Sequence, residues 1–270
     1  MSSTPNTESA TEETVDKEQP FMEHLIELRN RLVRALIAVA VVAIALAIWP
    51  GSQELFNWLS KPLTSILPEH IKPQWIGTIS PVMDQIKFLL LTALTISLPF
   101  VLYQVWAFVA PGLYRHEKRL IAPLVFSSTM LFYIGMAFCY FFVFNKVFAF
   151  IIHFTPDSAV WIPDISEYLS FVLTMFLAFG VAFEVPIAVI LLVRLGVVSV
   201  EKLKSIRGYV IVGAFVIAAI VTPPDVISQL LLAIPMCILF EIGIWISQMI
   251  EPKKDNDDTE DEEENYDIEH

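Results

Sequence analysis

The chain has 270 residues, 56% of them hydrophobic and 17% charged, and its formal net charge of −12 comes from 17 Lys+Arg against 29 Asp+Glu. The acidic balance looks like that of a soluble protein, whereas the mean hydropathy of +0.63 does not. Position resolves the conflict: residues 251–270 sum to −9 and residues 1–20 to −4, which leaves an apolar middle at +1 and excludes both a basic nucleic-acid-binding domain and an ordinary soluble enzyme.

In chain order, residues 1–20 read as an acidic, disordered tail. Phe21, Leu25, Leu28, Leu32 and Leu36 then recur at intervals of three and four, predicting an amphipathic helix that runs into a first span from Leu32 to Trp49. Too many residues precede it for the n-region of a cleaved signal peptide. A second span covers about Ile86 to Ala110, with Pro99 inside it. The third runs from Leu120 to Phe154, more than one crossing requires, so tilt or a projecting helix is expected. A fourth covers Tyr168 to Val193.

The fifth, Gly208 to Val221, has 14 residues and reaches only about 21 Å as a helix, short of the hydrocarbon thickness. Thr222-Pro223-Pro224-Asp225 turns it directly into the sixth, Val226 to Ile250, and residues 251–270 form a second acidic, disordered tail. The fold class is therefore an all-α polytopic membrane protein with six spans and a short hairpin of the fifth and sixth helices. Thirteen Lys/Arg fall on the side of the termini and four on the other, which predicts both termini to be cytoplasmic. No internal repeat is visible, and Cys139 and Cys237 sit in apolar runs where a thiol acts as a small hydrophobe.

Few polar residues in this body have chemistry to offer. Glu27 and Arg31 form an i,i+4 pair in the favourable order, either as a simple intrahelical ladder or as part of a site. Glu117 is the only acid among Arg115, His116, Lys118 and Arg119; it either offsets its neighbours or joins Glu27 as a second carboxylate at the same membrane face. Two such carboxylates suit a guanidinium ligand, because Arg binds a carboxylate with two parallel hydrogen bonds.

Glu184 lies deep in the fourth span with no basic residue within a helical turn, so it must face a cavity, be paired, or be protonated. Pro186 disrupts the backbone ladder beside it. Asp225 fits an N-cap of the sixth helix, Gln229 fits a helix-to-helix hydrogen bond, and Glu241 has no assigned role. The five histidines lie in loops, tails or helix ends and no phosphate-binding glycine loop appears, so no enzyme, cofactor or metal site is expected.

Several motifs recur together in one order: His24-Leu25-Ile26-Glu27-Leu28-Arg29, Tyr103-Gln104-Val105-Trp106-Ala107-Phe108, Pro111-Gly112-Leu113-Tyr114 before His116-Glu117, Ser127-Ser128 with Phe132-Tyr133-Ile134-Gly135, Phe183-Glu184-Val185-Pro186 and Thr222-Pro223-Pro224-Asp225. In these, residues 20 to 250 resemble the TatC family, the C subunits of twin-arginine protein translocases.

The resemblance implies a receptor in the bacterial cytoplasmic membrane, working in a multimeric complex among lipid, that binds the twin-arginine signal peptides of folded proteins for export driven by the proton-motive force. It implies a signal-peptide site at Glu27 and Glu117 with Arg29 and Phe108, an intramembrane functional acid at Glu184, and sensitive positions at Pro62 and Asp225. Contact with TatA-type and TatB-type single-span partners is implied at Thr222 and Gln229. The rival reading is a proton-coupled transporter of a small solute with Glu184 as relay, which would call for a second intramembrane ionisable group or symmetric half-repeats.

Overall fold

The computed structural model describes residues 8–51, 53–57, 74–109, 121–154, 156, 162, 164–222 and 225–250. Glu117, Pro62, Pro223, Pro224 and the C-terminal tail 251–270 lie outside them.

The first helix, α1, is continuous from Glu8 to Ile48. Its start falls inside the segment 1–20 that the sequence reads as an acidic tail. Glu, Ala and Gln are good helix formers, and acids near an N-terminus suit the helix dipole. A short helical stretch follows at 53–57. Then come α2 (Ser80–Val109), α3 (Ile121–Phe138), a π-helical turn (Cys139–Val143), α4 (Phe144–Phe154), α5 (Ile165–Phe183) and α6 (Val185–Arg194). A one-and-a-half-turn α7 (Val200–Ser205) leads into α8 (Arg207–Val221) and α9 (Val226–Ile250). Among the described residues no strand forms; one bridge pairs Gln74 with Asp164.

Among the described residues, five stretches are long and apolar enough to cross a membrane: Leu25–Ile48, Ser80–Val109, Ala122–Phe154, Ile165–Arg194 and Val226–Ile250. The 15 residues of α8 make about 22 Å of helix, the short hairpin arm that the sequence predicts. The long third span is not one regular helix. At the π-helical turn the Phe144 N–H reaches the Cys139 carbonyl, an i→i−5 bond that accommodates an extra residue. Both Val143 and Phe144 then point into the core.

α1 packs against α2, α2 against α3, α3 against α5, and both α6 and α8 against α9. The main core lies where α4 and α5 meet, with Phe144, Val147, Phe148, Leu169, Val172, Met175 and Phe179 buried together. The Phe144 and Phe176 rings stand 5.3 Å apart, and those of Phe148 and Tyr168 5.5 Å. α1 is different: its apolar stretch exposes Leu32, Leu36, Ile37, Val41 and Ile44, and only a narrow face carrying Ala35 and Ala43 is buried. Leu46 and Trp49 share a groove with Phe88, Thr92 and Ile96, so the end of α1 lies beside the first half of α2 and the pair is antiparallel.

One polar pin joins the end of α2 where Ser80 lies to α5. Asp84 is only 1% exposed; Ser166 Oγ donates to its Oδ2 at 2.6 Å, and Lys87 Nζ stands 3.4 Å from Oδ1. Asp164 caps α5 by accepting from Ser166 N–H at 2.9 Å, and Ile165 N–H donates to the Gln74 carbonyl at 3.0 Å. The sequence reading gave Asp84 no role.

α3 and α5 approach closely because two glycines face each other's helix. A Cβ on Gly135 would lie 2.5 Å from the Phe179 carbonyl oxygen, and one on Gly180 would run into the Phe132 ring. Gly135→Ala is therefore expected to destabilise the purified protein by about 1–3 kcal/mol, read as an earlier thermal unfolding transition in detergent. Gly213→Ala, at a position with nothing within 4 Å, is the control and should leave the transition in place or raise it.

Spin labels test the short arm. A label at Val221, the end of α8, should report more water than one at Phe176 in α5, because about 22 Å of helix cannot reach across an unthinned bilayer. Equal dryness would count against thinning.

Candidate functional site

Glu27 and Arg31 lie on the α1 face that continues, at steps of four, through Ala35, Val39 and Ala43, the face turned towards α2. The Arg31 Nε and Nη2 groups donate to the Glu27 carboxylate at 2.9 and 2.5 Å, and both bonds end on Oε1. The pair is partly open, with side-chain exposures of 21% for Arg31 and 36% for Glu27. Arg29 and Arg34 point outward and are exposed. Phe108, half-buried, lies at the last turn of α2. Because α1 and α2 are antiparallel, Glu27 and Phe108 stand at the same end of the pair. The loop with Glu117 follows α2 outside the described residues, as does Pro62.

A second polar locus lies deeper. The fourth span breaks at Glu184, whose N–H donates to the Val181 carbonyl at 3.0 Å, an i→i−3 bond that tightens the last turn of α5. α6 then restarts with Pro186 in its first turn, where a missing N–H costs least. Both Glu184 carboxylate oxygens are buried without a hydrogen-bond partner among the described residues. The described ion pairs are Glu27–Arg31, Asp84–Lys87 and Glu241–Arg207, and none of them engages Glu184. The third and fourth spans run antiparallel with Phe132 against Gly180, which brings Ser128 of α3, one turn further on, level with Glu184. Ser128 is fully buried, and its Oγ accepts from the Trp106 indole N–H of α2 at 2.9 Å. Trp106, Ile187 and Leu191 form a small apolar cluster beside this junction, so α2, α3 and α6 all converge on it.

At the α8–α9 hairpin the structure gives each predicted residue an internal partner. Thr222 is buried and its hydroxyl donates to the Ala218 carbonyl at 2.8 Å. Asp225 acts as the N-cap the sequence allows, its Oδ1 accepting from Ser228 N–H at 2.6 Å. Gln229 Nε2 donates to the Phe215 carbonyl at 3.2 Å, a helix-to-helix bond made within the hairpin itself. Glu241 also has a partner that sequence spacing does not reveal, since Arg207 Nη2 stands 2.7 Å from its Oε2 and ties the start of α8 to α9. α8 keeps an unpaired outer face, with Tyr209, Val212, Val216 and Ile220 exposed at steps of three and four.

Sequence reasoning passed over Asp84 and gave Trp106 and Ser128 no individual role, though both lie in its motifs. The motif containing Trp106 is visible, but its buried hydrogen bond spans 22 positions and leaves no local periodic signal. Among the described residues no three metal-ligating side chains come together.

The family model described as Sec-independent protein translocase protein (TatC) matches residues 23–235. The Sec-independent protein translocase protein TatC of Haemophilus influenzae is 48% identical over 252 residues, covering 91% of this chain and 98% of that protein. Its Escherichia coli K12 counterpart is 48% identical over 235 residues, covering 87% and 90%. A crystal structure of a twin arginine translocase receptor, TatC, superposes with a TM-score of 0.75 at 38% identity, covering 84% of this chain and 98% of the other.

The geometry of the Glu27–Arg31 pair makes its energetic weight small. A partly exposed i,i+4 pair contributes about 0.3–0.5 kcal/mol, so Arg31→Gln should barely move the thermal transition while freeing Glu27. A loss above about 2 kcal/mol would instead mark the pair as a buried structural pin.

Proposed function

The chain belongs to the TatC family, and on that footing we propose that it is the signal-peptide receptor and core subunit of a twin-arginine translocase. It exports folded proteins across the bacterial cytoplasmic membrane with both termini on the cytoplasmic side. The Lys/Arg asymmetry supports that orientation.

Recognition starts from the Arg-Arg motif of the signal peptide. Glu27 supplies one carboxylate and Glu117 the other, with Arg29 and Phe108 completing the site. The observation that carries the reading is the state of Glu27: a half-exposed carboxylate held by Arg31 through one oxygen, at the end of the bundle where Phe108 lies. An incoming guanidinium takes a carboxylate through two parallel hydrogen bonds, so it exchanges with Arg31 rather than meeting an unpaired charge. The exchange is inexpensive because the internal pair contributes only a few tenths of a kcal/mol.

The apolar part of the signal then packs against the bundle on the side of Glu184. Partner helices of the TatA and TatB type dock at the hairpin around Thr222 and Gln229, where the exposed stripe of α8 offers an apolar helix face. Pro62 and Asp225 belong to the same machinery, Asp225 by shaping the hairpin as an N-cap. The subunit does no chemistry of its own; the proton-motive force drives transport.

Photo-cross-linking of a twin-arginine peptide to the membrane-embedded protein tests the site. Yields should fall at least tenfold in Glu27→Ala and in Glu117→Ala, in line with about 2 kcal/mol or more for one lost partner of a desolvated charge-assisted pair. Undiminished yields in both variants would sink the assignment. Purification in mild detergent reports on the partners, and co-purifying small single-span proteins with amphipathic helices are the expected result.

A further inference from the structure

We propose that Ser128, aimed by Trp106, is the positioning residue that donates its hydroxyl proton to the Glu184 carboxyl group. The proposal deepens the role given to Glu184 and rests on that reading only for its functional meaning, not for its geometry.

The argument begins with three consecutive hydroxyls on α3. Ser127 donates to the Leu124 carbonyl at 3.0 Å and Thr129 to the Val125 carbonyl at 2.7 Å, the usual way a hydroxyl is satisfied inside an apolar helix. Ser128 makes no such back-bond among the described residues. Instead its oxygen accepts from the Trp106 indole N–H at 2.9 Å, within a fully buried site. A serine hydroxyl has one proton and two acceptor lone pairs, whereas an indole N–H only donates. Trp106 therefore occupies an acceptor position on Ser128 and leaves the proton to find another acceptor.

Glu184 supplies that acceptor. The third and fourth spans run antiparallel and Phe132 packs on Gly180, so one helical turn on from that contact Ser128 comes level with Glu184, whose oxygens are both buried with no hydrogen-bond partner among the described residues. In hydrocarbon a buried hydroxyl proton and a buried carboxyl oxygen side by side have no water to satisfy them, so each is the other's best partner. The consequence is a chain from Trp106 of α2 through Ser128 of α3 to the break between α5 and α6, which fixes where the acid points. Trp106 precedes Phe108 by two residues on α2, so the end of the bundle where the signal site is proposed and the deeper acid share one rigid element.

Infrared difference spectroscopy of the full-length protein in lipid vesicles tests this. Glu184→Gln first identifies the carboxyl band that belongs to Glu184. That band should shift to higher frequency in Ser128→Ala, where the donor is gone, and broaden in Trp106→Phe, where the hydroxyl is no longer aimed. Should Ser128→Ala fail to fold, Ser128→Cys carries the same readout, with a smaller shift from its weaker donor. A band unmoved by the Ser128 substitution overturns the proposal, because a serine that merely packs or merely seats Trp106 would leave it in place. A band that moves with Ser128 but not with Trp106 overturns the aiming role. These spectra need no peptide, so their outcome is independent of cross-linking at Glu27 and Glu117.

Discussion

Hydrocarbon offers no hydrogen-bond partner, so a polar group carried into the membrane must find one in its own helix or in the next. Most of what distinguishes this bundle from six independent spans follows from that constraint. Tyr133 of α3 donates to the Thr95 carbonyl of α2 at 2.8 Å. Ser166 of α5 donates to Asp84 of α2, Trp106 of α2 to Ser128 of α3, and Gln229 of α9 to the Phe215 carbonyl of α8. These bonds set the rotation and depth of each helix, which apolar packing alone leaves loose because lipid tails are as apolar as leucine.

Glu184 stands apart from this pattern. Apart from the proposed Ser128 donor, its buried oxygens have no partner among the described residues, and it sits where the backbone ladder is already interrupted before Pro186. An acid kept in such a place raises the energy of the folded state, and it persists only where the surroundings hold it. The close approach of α3 to α5 at Gly135 and Gly180, and of α9 to α6 at Gly243, supplies that rigidity on either side of the break.

The other locus follows the opposite logic. Glu27 and Arg31 are partly solvated and paired within one helix, so neither is held by the fold and either is free to change partner at small cost. α1, exposed over most of its apolar length, is fastened chiefly through its small-residue face to α2. The two loci thus differ in kind: a partly solvated pair that can exchange partners, and a buried acid between packed helices.

The sequence by itself determined whatever depends on residue type over one helical turn or on the length of an apolar run. The six spans, the short fifth arm, the Glu27–Arg31 pair, the Asp225 cap and the break before Pro186 are all of this kind, and each appears where the pattern predicts it. Even Glu184 was legible, because an ionisable residue in an apolar run stands out without reference to its neighbours. Tertiary structure alone decided the rest. Asp84 meets Ser166 across 82 positions, Arg207 meets Glu241 across 34, and Trp106 meets Ser128 across 22. The π-helical turn at Cys139–Val143 is likewise invisible in a uniformly apolar stretch. Hydropathy reports how far a helix extends through the membrane; which of its faces turns inward, and which polar group it meets there, is set by packing against helices that lie far away in sequence.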